Sequence, residues 1–203
     1  MSSEKGFSLV ELLVTMVILS VVIGGLTTVF ISGSTAQINL NERFQAQQNA
    51  RLALDRLRVD IHCATAAQAQ TINGYPGIKL SMTMAGGATT CYSSTVSYCV
   101  VQYSASPIRY QLFRATGTGA TDCTASDATR LLIADYLTSS SVFTTNVIPQ
   151  YSLQTVGIDI KVGVHPGATA KNAYELTDSI VVRNSTRCAP VSPATTCAIT
   201  AVP

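Results

Sequence analysis

Few side chains in this sequence have the chemistry for a site: one glutamate inside an apolar run, six cysteines and two histidines. Glu11 is the single charged residue between Gly6 and Ile31. An ionised carboxylate in hydrocarbon costs on the order of a few kcal/mol unless it is paired or neutralised. We therefore expect Glu11 to need a cationic partner. The simpler alternative is a carboxylate that only reaches the edge of the apolar layer.

The apolar run is long enough to cross a membrane. From Leu12 to Ile31 the sequence has 20 residues without a charge, which as a helix would span about 30 Å of hydrocarbon. A secretory signal peptide would end at a small-residue cleavage site after its apolar core. Here the small residue, Gly6, precedes the run. Cleavage at this position would leave the apolar helix on the mature chain.

The segment G-F-S-L-V-E-L-L at residues 6–13 resembles the prepilin signature shared by type IV pilins and type II secretion pseudopilins. The resemblance implies that a prepilin peptidase cuts between Gly6 and Phe7 and that Phe7 becomes N-methylated. It also implies that Glu11 faces the Phe7 amine of a neighbouring subunit. Within one straight helix, the same carboxylate lies four residues from the Phe7 amine of its own chain, so an intramolecular pair is the second possibility.

The sequence predicts one long helix at the N-terminus. No proline occurs before Pro76, so a helix can run from Phe7 to about Ala67. Gly24 and Gly25 are its weakest point, since each costs about 1 kcal/mol relative to alanine in a helix interior. The resemblance implies a hinge there, while close packing of neighbouring helices is the alternative for such small residues.

Beyond Ser32 the helix is predicted to be amphipathic. Apolar residues recur there at helical spacing, at Leu40, Phe44, Ala50, Leu54, Leu57 and Ile61. This pattern predicts that one face packs against a globular body. Arg51 with Asp55 and Arg56 with Asp60 are spaced four residues apart, and we expect both pairs to lie on the solvated surface.

The remaining sequence predicts strands. Apolar residues alternate with polar ones over residues 78–84 and 156–164, residues 96–103 and 108–114 flank a Ser-Pro turn, and residues 179–182 are apolar; residues 130–137 fit helix or strand. The predicted class is α+β and pilin-like, with one long N-terminal helix packed on an antiparallel sheet. The predicted domains are a leader peptide at 1–6, a transmembrane and filament-core helix at 7–31, its amphipathic continuation at 32–67, and a β-rich domain with disulfide loops at 68–203.

The even number of cysteines in an exported chain predicts complete pairing in an oxidising compartment. Local pairing would join Cys91 to Cys99 and Cys188 to Cys197, leaving Cys63 for Cys123. A metal site is the competing interpretation. It is not favoured, because the sequence has no CxxC spacing and its histidines, His62 and His165, lie far apart. We expect no metal and no cofactor.

Charge and motifs narrow the function. The formal net charge is +2 and the basic residues are dispersed, so a nucleic-acid partner is not expected. No hydrolase, nucleotide-binding or metalloprotease motif occurs, and we predict that the protein is not an enzyme. The family resemblance predicts a structural subunit of a type IV pilus or a type II secretion pseudopilus, polymerised through its N-terminal helix.

A second resemblance concerns the subtype. The segment QQNARLALDRLRVDI with the strand-rich body is similar to minor pilins and J-type pseudopilins; a major pilin and a filament-tip module for adhesion or DNA capture are the alternatives. The implied partners are other pilin or pseudopilin subunits, prepilin peptidase, the inner-membrane assembly platform and, before assembly, membrane lipid. The implied location is a single pass in the inner membrane with the globular domain outside the cytoplasm, followed by a cell-surface pilus or a periplasmic pseudopilus.

Overall fold

The computed structural model describes residues 8–82, 91, 95–116, 130–145, 148–149, 153–164, 173–185 and 196–197. The chain divides into two compact units, Met1–Glu42 and Arg43–Pro203, called below the N-terminal and C-terminal units. Helix α1 spans Leu9–Cys63. The strands are β1 Ala66–Ile72, β2 Tyr75–Ser81, β3 Thr95–Ala105, β4 Ile108–Thr116, β5 Leu131–Leu137, β6 Phe143–Thr145, β7 Ile148–Pro149, β8 Thr155–Gly163, β9 Ala173–Val181 and β10 Thr196–Cys197.

Helix α1 contains 55 residues, and no proline occurs in this segment to interrupt its hydrogen bonds. Sequence reasoning extended it to about Ala67, which is wrong. The helix ends at Cys63, where the Asn184 side-chain amide donates to the carbonyl oxygens of His62 at 3.1 Å and Cys63 at 3.2 Å. These bonds satisfy carbonyl groups that the helix end leaves open, and the chain turns into β1.

In the C-terminal unit, α1 packs on an antiparallel sheet, which confirms the predicted α+β pilin-like fold. The strand order is β1-β2-β3-β4-β5-β8-β6, with β9 also paired to β8; β7 and β10 form a separate pair. The buried face of the helix carries Ala46, Ala50, Ala53, Leu57 and Ile61. Its alanines allow the helix backbone to approach the sheet closely, so that the two layers share one core.

Most predicted strands are confirmed. The alternating segments at 78–84 and 156–164 overlap β2 and β8, residues 131–137 of the segment 130–137 form the strand β5, and residues 179–181 are the end of a longer strand, β9. β3 and β4 form the predicted hairpin around Ser106 and Pro107. β1 is absent from the sequence prediction, which places its first two residues, Ala66 and Ala67, in the helix and assigns no element to the rest of the strand. It pairs with β2 through a tight turn at Asn73 and Gly74, whose φ values are 48° and 85°, as the twist of a two-residue hairpin requires.

A buried polar cluster joins α1 to the sheet. The Asp60 side chain on α1 is fully buried, and its Oδ2 accepts hydrogen bonds from Tyr98 Oη at 2.7 Å and Arg114 Nε at 2.6 Å. Asp60 Oδ1 has no hydrogen-bond partner among the described residues. The expectation that Asp60 pairs with Arg56 on the solvated surface is therefore wrong, because the helix turns Asp60 toward β3 and β4.

The cluster shifts the pKa values of Tyr98 and Arg114. Burial raises the pKa of the Tyr98 hydroxyl, and the charge of Asp60 and its hydrogen bond raise it further. Burial alone lowers the pKa of the Arg114 guanidinium, but the hydrogen bond and charge of Asp60 outweigh burial and raise the pKa above its usual value. The stable state of the cluster is therefore a neutral Tyr98 hydroxyl beside an Asp60–Arg114 ion pair.

The disulfide arrangement corrects the sequence prediction. Cys63 is bonded to Cys91 with a Cα–Cα distance of 5.6 Å, so the predicted pair of Cys63 with Cys123 is wrong. Because Cys91 is bonded to Cys63, the predicted pair of Cys91 with Cys99 is also wrong, and Cys99 takes part in a different disulfide bond. The reason is the alternation of β3, in which Tyr98 and Val100 join the core under the helix while Cys99 belongs to a separate buried cluster. The predicted Cys188–Cys197 bond and Cys123 lie outside the described side chains.

We predict that Asp60→Asn lowers the free energy of unfolding by about 3–5 kcal/mol, because it leaves the Arg114 charge buried without a carboxylate. The matched control is Asp55→Asn, on the same helix. Asp55 is exposed and lies 3.6 Å from Arg58, so its loss should change stability by about 1 kcal/mol or less. Urea unfolding of the full-length protein in detergent, followed by near-UV circular dichroism, measures both. Similar losses in the two variants would contradict a stabilising role for the cluster.

A second prediction concerns alkaline pH. Because the pKa of Tyr98 is raised in the folded state, the folded protein keeps the phenolic proton where the unfolded chain has lost it. This contribution to stability is complete below about pH 10 and falls by up to about 1.4 kcal/mol per pH unit above it. The stability difference between wild type and Tyr98→Phe should therefore narrow as the pH rises above about pH 10. Tyr103→Phe, at an exposed site, is the control; a gap of constant size for Tyr98→Phe would refute the argument.

Candidate functional site

The candidate site is the first half of α1, which displays its apolar side chains to the outside. All residues from 8 to 33 are exposed in the isolated chain. The most apolar window of 18 residues in α1 has a mean hydropathy of 2.5 and no buried residue. An apolar surface this large is not stable in water and indicates contact with lipid or protein. By length and composition this helix can cross a membrane.

The hydroxyl groups in this half of the helix are satisfied within the helix. Thr15, Ser20, Thr27 and Thr28 donate to carbonyl oxygens three or four residues earlier, at 2.7–2.9 Å. Such bonds leave no hydroxyl that needs water, which is the condition for burial in hydrocarbon or among other helices. Sequence reasoning did not use these residues, although their Ser/Thr type inside an apolar run is the signal.

Glu11 lies at the N-terminus of α1, where its carboxylate Oε2 accepts a hydrogen bond from the Ser8 backbone N–H at 3.0 Å. The Leu12 N–H in turn donates to the Ser8 carbonyl at 3.2 Å. Ser8 is therefore the N-cap, and Glu11, three residues on, makes the bond from its carboxylate to the N-cap backbone N–H that is one half of a capping box. The positive end of the helix dipole adds to the attraction for this carboxylate. The spacing Ser-x-x-Glu in the sequence was the available signal for this contact.

The predicted partner of Glu11, the Phe7 amine, and the predicted cleavage site at Gly6 and Phe7 lie outside the described residues. Their roles stay predictions. The geometry of Glu11 is compatible with them, since Phe7 directly precedes Ser8 in the chain. One carboxylate oxygen accepts the Ser8 N–H, and a carboxylate can accept further bonds at both oxygens. Glu11 therefore retains acceptor capacity for a cationic partner.

Gly24 and Gly25 lie inside the continuous helix. A Cβ atom built on either residue meets no heavy atom within 4 Å. The fold of the single chain therefore does not require glycine at these positions. Both the hinge and the close approach of a neighbouring helix stay predictions, and both concern events outside the isolated subunit.

The other titratable groups do not assemble a catalytic or metal site in the part of the chain that the structure describes. No group of three or more potential metal ligands occurs there. Lys161 bridges Glu175 at 3.0 Å and Asp159 at 3.3 Å, and the hydrogen bond to Glu175, followed by that to Asp159, raises the pKa of its ammonium. His62 Nδ1 lies 3.1 Å from the Val181 carbonyl oxygen, a contact that ties the helix end to β9.

Comparison with known proteins gives one finding. The family model described as the prokaryotic N-terminal methylation motif matches residues 1–27. No curated protein and no solved structure matches the chain.

Over residues 8–27 the match overlaps the capped start and the exposed apolar half of α1. Proteins with this motif are structural, pilin-type proteins, and the motif implies processing by prepilin peptidase and assembly with other pilins. Together with the apolar helix, it fits a single-pass membrane anchor. The N-terminal methylation motif at residues 1–27 and a long helix whose first half is apolar and whose second half packs on an antiparallel sheet together support a type IV prepilin-like protein.

Proposed function

We propose that the protein is a structural subunit of a type IV pilus or a type II secretion pseudopilus, cut after Gly6, methylated at Phe7 and polymerised through α1. The observation that carries the proposal is the exposed apolar half of α1 with a carboxylate at its start. Lipid covers this surface before assembly and the helices of neighbouring subunits cover it afterwards. Within this class we propose a minor pilin or a pseudopilin, on the resemblance of its Arg/Leu/Asp-rich helix.

The proposal includes the path by which the subunit reaches the filament. The subunit waits in the inner membrane as a single pass with the C-terminal unit outside the cytoplasm, and the inner-membrane assembly platform moves it into the filament. The disulfide between Cys63 and Cys91 supports export, because such bonds persist in oxidising compartments. The final place is a cell-surface pilus or a periplasmic pseudopilus. The share of this chain among sheared filament subunits would separate a minor from a major component.

Processing is the most direct test. In cells with an active prepilin peptidase, the purified protein should begin at Phe7 and carry one added methyl group, as measured by intact mass and N-terminal peptide sequencing. Gly6→Leu should block cleavage, because a side chain at this position obstructs the peptidase. Gly25→Ala, in the same helix, should be processed normally. A native protein that retains Met1 would refute the proposal.

The role of Glu11 can be separated from its capping role. Glu11→Gln keeps an acceptor for the Ser8 N–H but removes the charge, while Glu11→Val removes both. If the charge pairs with a neighbouring ammonium in an apolar environment, both variants should still insert and be processed. Their incorporation into filaments should fall by a factor of roughly ten or more. Filament incorporation is measured by quantitative immunoblotting of sheared filaments against the membrane pool.

Leu12→Val is the matched control, since it changes an apolar neighbour and leaves the charge intact. Normal incorporation of Glu11→Gln would show that hydrogen bonding at the helix start is sufficient. That result would remove the charge pair from the proposal without affecting the processing test.

A further inference from the structure

A second apolar surface lies on the C-terminal unit, on the side of α1 that faces away from the sheet. The outer stripe consists of Phe44, Gln48, Leu52, Asp55 and Val59, which are spaced by four, four, three and four residues and so share one side of the helix. Phe44, Leu52 and Val59 are 57%, 70% and 47% exposed. A helix face that meets only water is normally polar. The stripe therefore indicates a protein contact.

A matching surface lies at the end of the β3–β4 hairpin. The hairpin tip consists of Tyr103, Ile108, Arg109 and Tyr136; Tyr103, Ile108 and Tyr136 are 68%, 56% and 40% exposed. The Arg109 guanidinium lies 5.2 Å from the centre of the Tyr136 ring, so the tip combines aromatic surface with a cation. Such a composition is typical of the energetic centre of protein interfaces.

Tyr136 is held in place although it is exposed. Its φ of +57° lies in the left-handed region, which is strained for a bulky side chain. The Asp135 carboxylate accepts the Tyr136 N–H at 2.6 Å, and the Asn49 amide donates to the Asp135 carbonyl at 3.1 Å. Strain that neighbouring residues maintain at an exposed aromatic residue points to a function for its position.

Charge makes the two surfaces complementary. Asp55, in the outer stripe, has a side chain that is 70% exposed and lies at 3.6 Å from Arg58, whose closer partner is Asp178 at 3.0 Å. Its carboxylate is therefore largely available to a partner. Arg109 supplies the opposite charge within the hairpin tip. The hairpin tip thus carries a cation next to exposed apolar groups, and the outer stripe carries an acid next to exposed apolar groups, with the exposed Arg51 and Arg58 beside it.

Symmetry favours contact between different surfaces. If two outer stripes paired with each other, the interface would be two-fold and closed, and a third copy could not join. A contact between the tip of one copy and the stripe of the next is heterologous and can repeat along a filament.

We propose that the hairpin tip of one copy docks on the outer stripe of a second copy, with Arg109 facing Asp55 and the tip's apolar side chains covering Leu52 and Val59. The inference rests on the proposed filament function and deepens it by naming the partner surface outside the apolar half of α1. It requires that two copies of this chain lie side by side, so it applies to the pseudopilin form of the proposal, in which this chain is the repeating subunit, and not to a minor pilin.

Photo-crosslinking in assembled filaments tests the inference. A benzoylphenylalanine placed at Leu52 of the full-length protein should, after irradiation, crosslink to residues 103–109 of a second copy, as identified by mass spectrometry. Because Leu52 is exposed, the replacement does not disturb the core. The same probe at Val181, an exposed site on β9, is the control and should not reach the tip.

Exchanging the charges of Asp55 and Arg109 is the second test of the inference. Asp55→Arg and Arg109→Asp should each reduce the Leu52 crosslink roughly fivefold, and the double variant should restore it to within about twofold of wild type. Glu175→Gln, a carboxylate paired with Lys161, is the matched control and should leave the yield unchanged.

Several results would overturn the inference: crosslinks to the stripe of another copy, crosslinks only to a different protein or to lipid, or a double variant that restores nothing. In each case processed filaments would still form, and the proposed function would stand. An uncut chain without filaments would instead refute the proposed function, and this inference with it.

Discussion

The position of α1 on the sheet depends on one buried carboxylate. The apolar face of the helix is rich in small residues, among them Ala46, Ala50 and Ala53, so apolar packing alone discriminates weakly between neighbouring registers. Asp60 is different, because its carboxylate has to meet both Tyr98 and Arg114. A slide of one helical turn, about 5.4 Å, would leave the charge buried without partners, at a cost of several kcal/mol. The apolar core would tolerate several registers of the helix on the sheet, and the polar cluster selects one of them.

The sequence predicted the elements with strong periodicity and missed those set by contacts distant in the chain. The length of α1, the alternation of β8 and the turn before β4 are local patterns, and each predicted the correct element. β1 was missed because its small and polar residues also suit a helix, although Asn73 and Gly74 are a hairpin signal. That dipeptide predicts a strand directly before it and is therefore evidence for a helix that ends earlier than Ala67.

Pairing in three dimensions was less predictable. The sequence placed Asp60 on a solvated face, since its partners lie 38 and 54 residues away and no local pattern marks them. The bond from Cys63 to Cys91 likewise depends on where the chain after β2 returns to the helix end. Proximity in sequence favoured the bond between Cys91 and Cys99, but strand alternation directs Cys99 away from the core under the helix. For the candidate site, the sequence identified Glu11 but not its Ser8 partner.

The two apolar surfaces of α1 have different energetic roles in the proposed assembly. Between lipid and neighbouring helices, the surface around Leu12 to Ile31 exchanges one apolar environment for another, so burial provides little net driving force there. The preference for the filament over the membrane must therefore come from packing between helices and from the pairing of Glu11. The exposed side chains of Phe44, Leu52 and Val59 lie beyond the apolar run, where each Å² removed from water contributes about 25 cal/mol. In this arrangement, hydrophobic stabilisation of the filament comes from the C-terminal unit, while the helix start determines which neighbour fits.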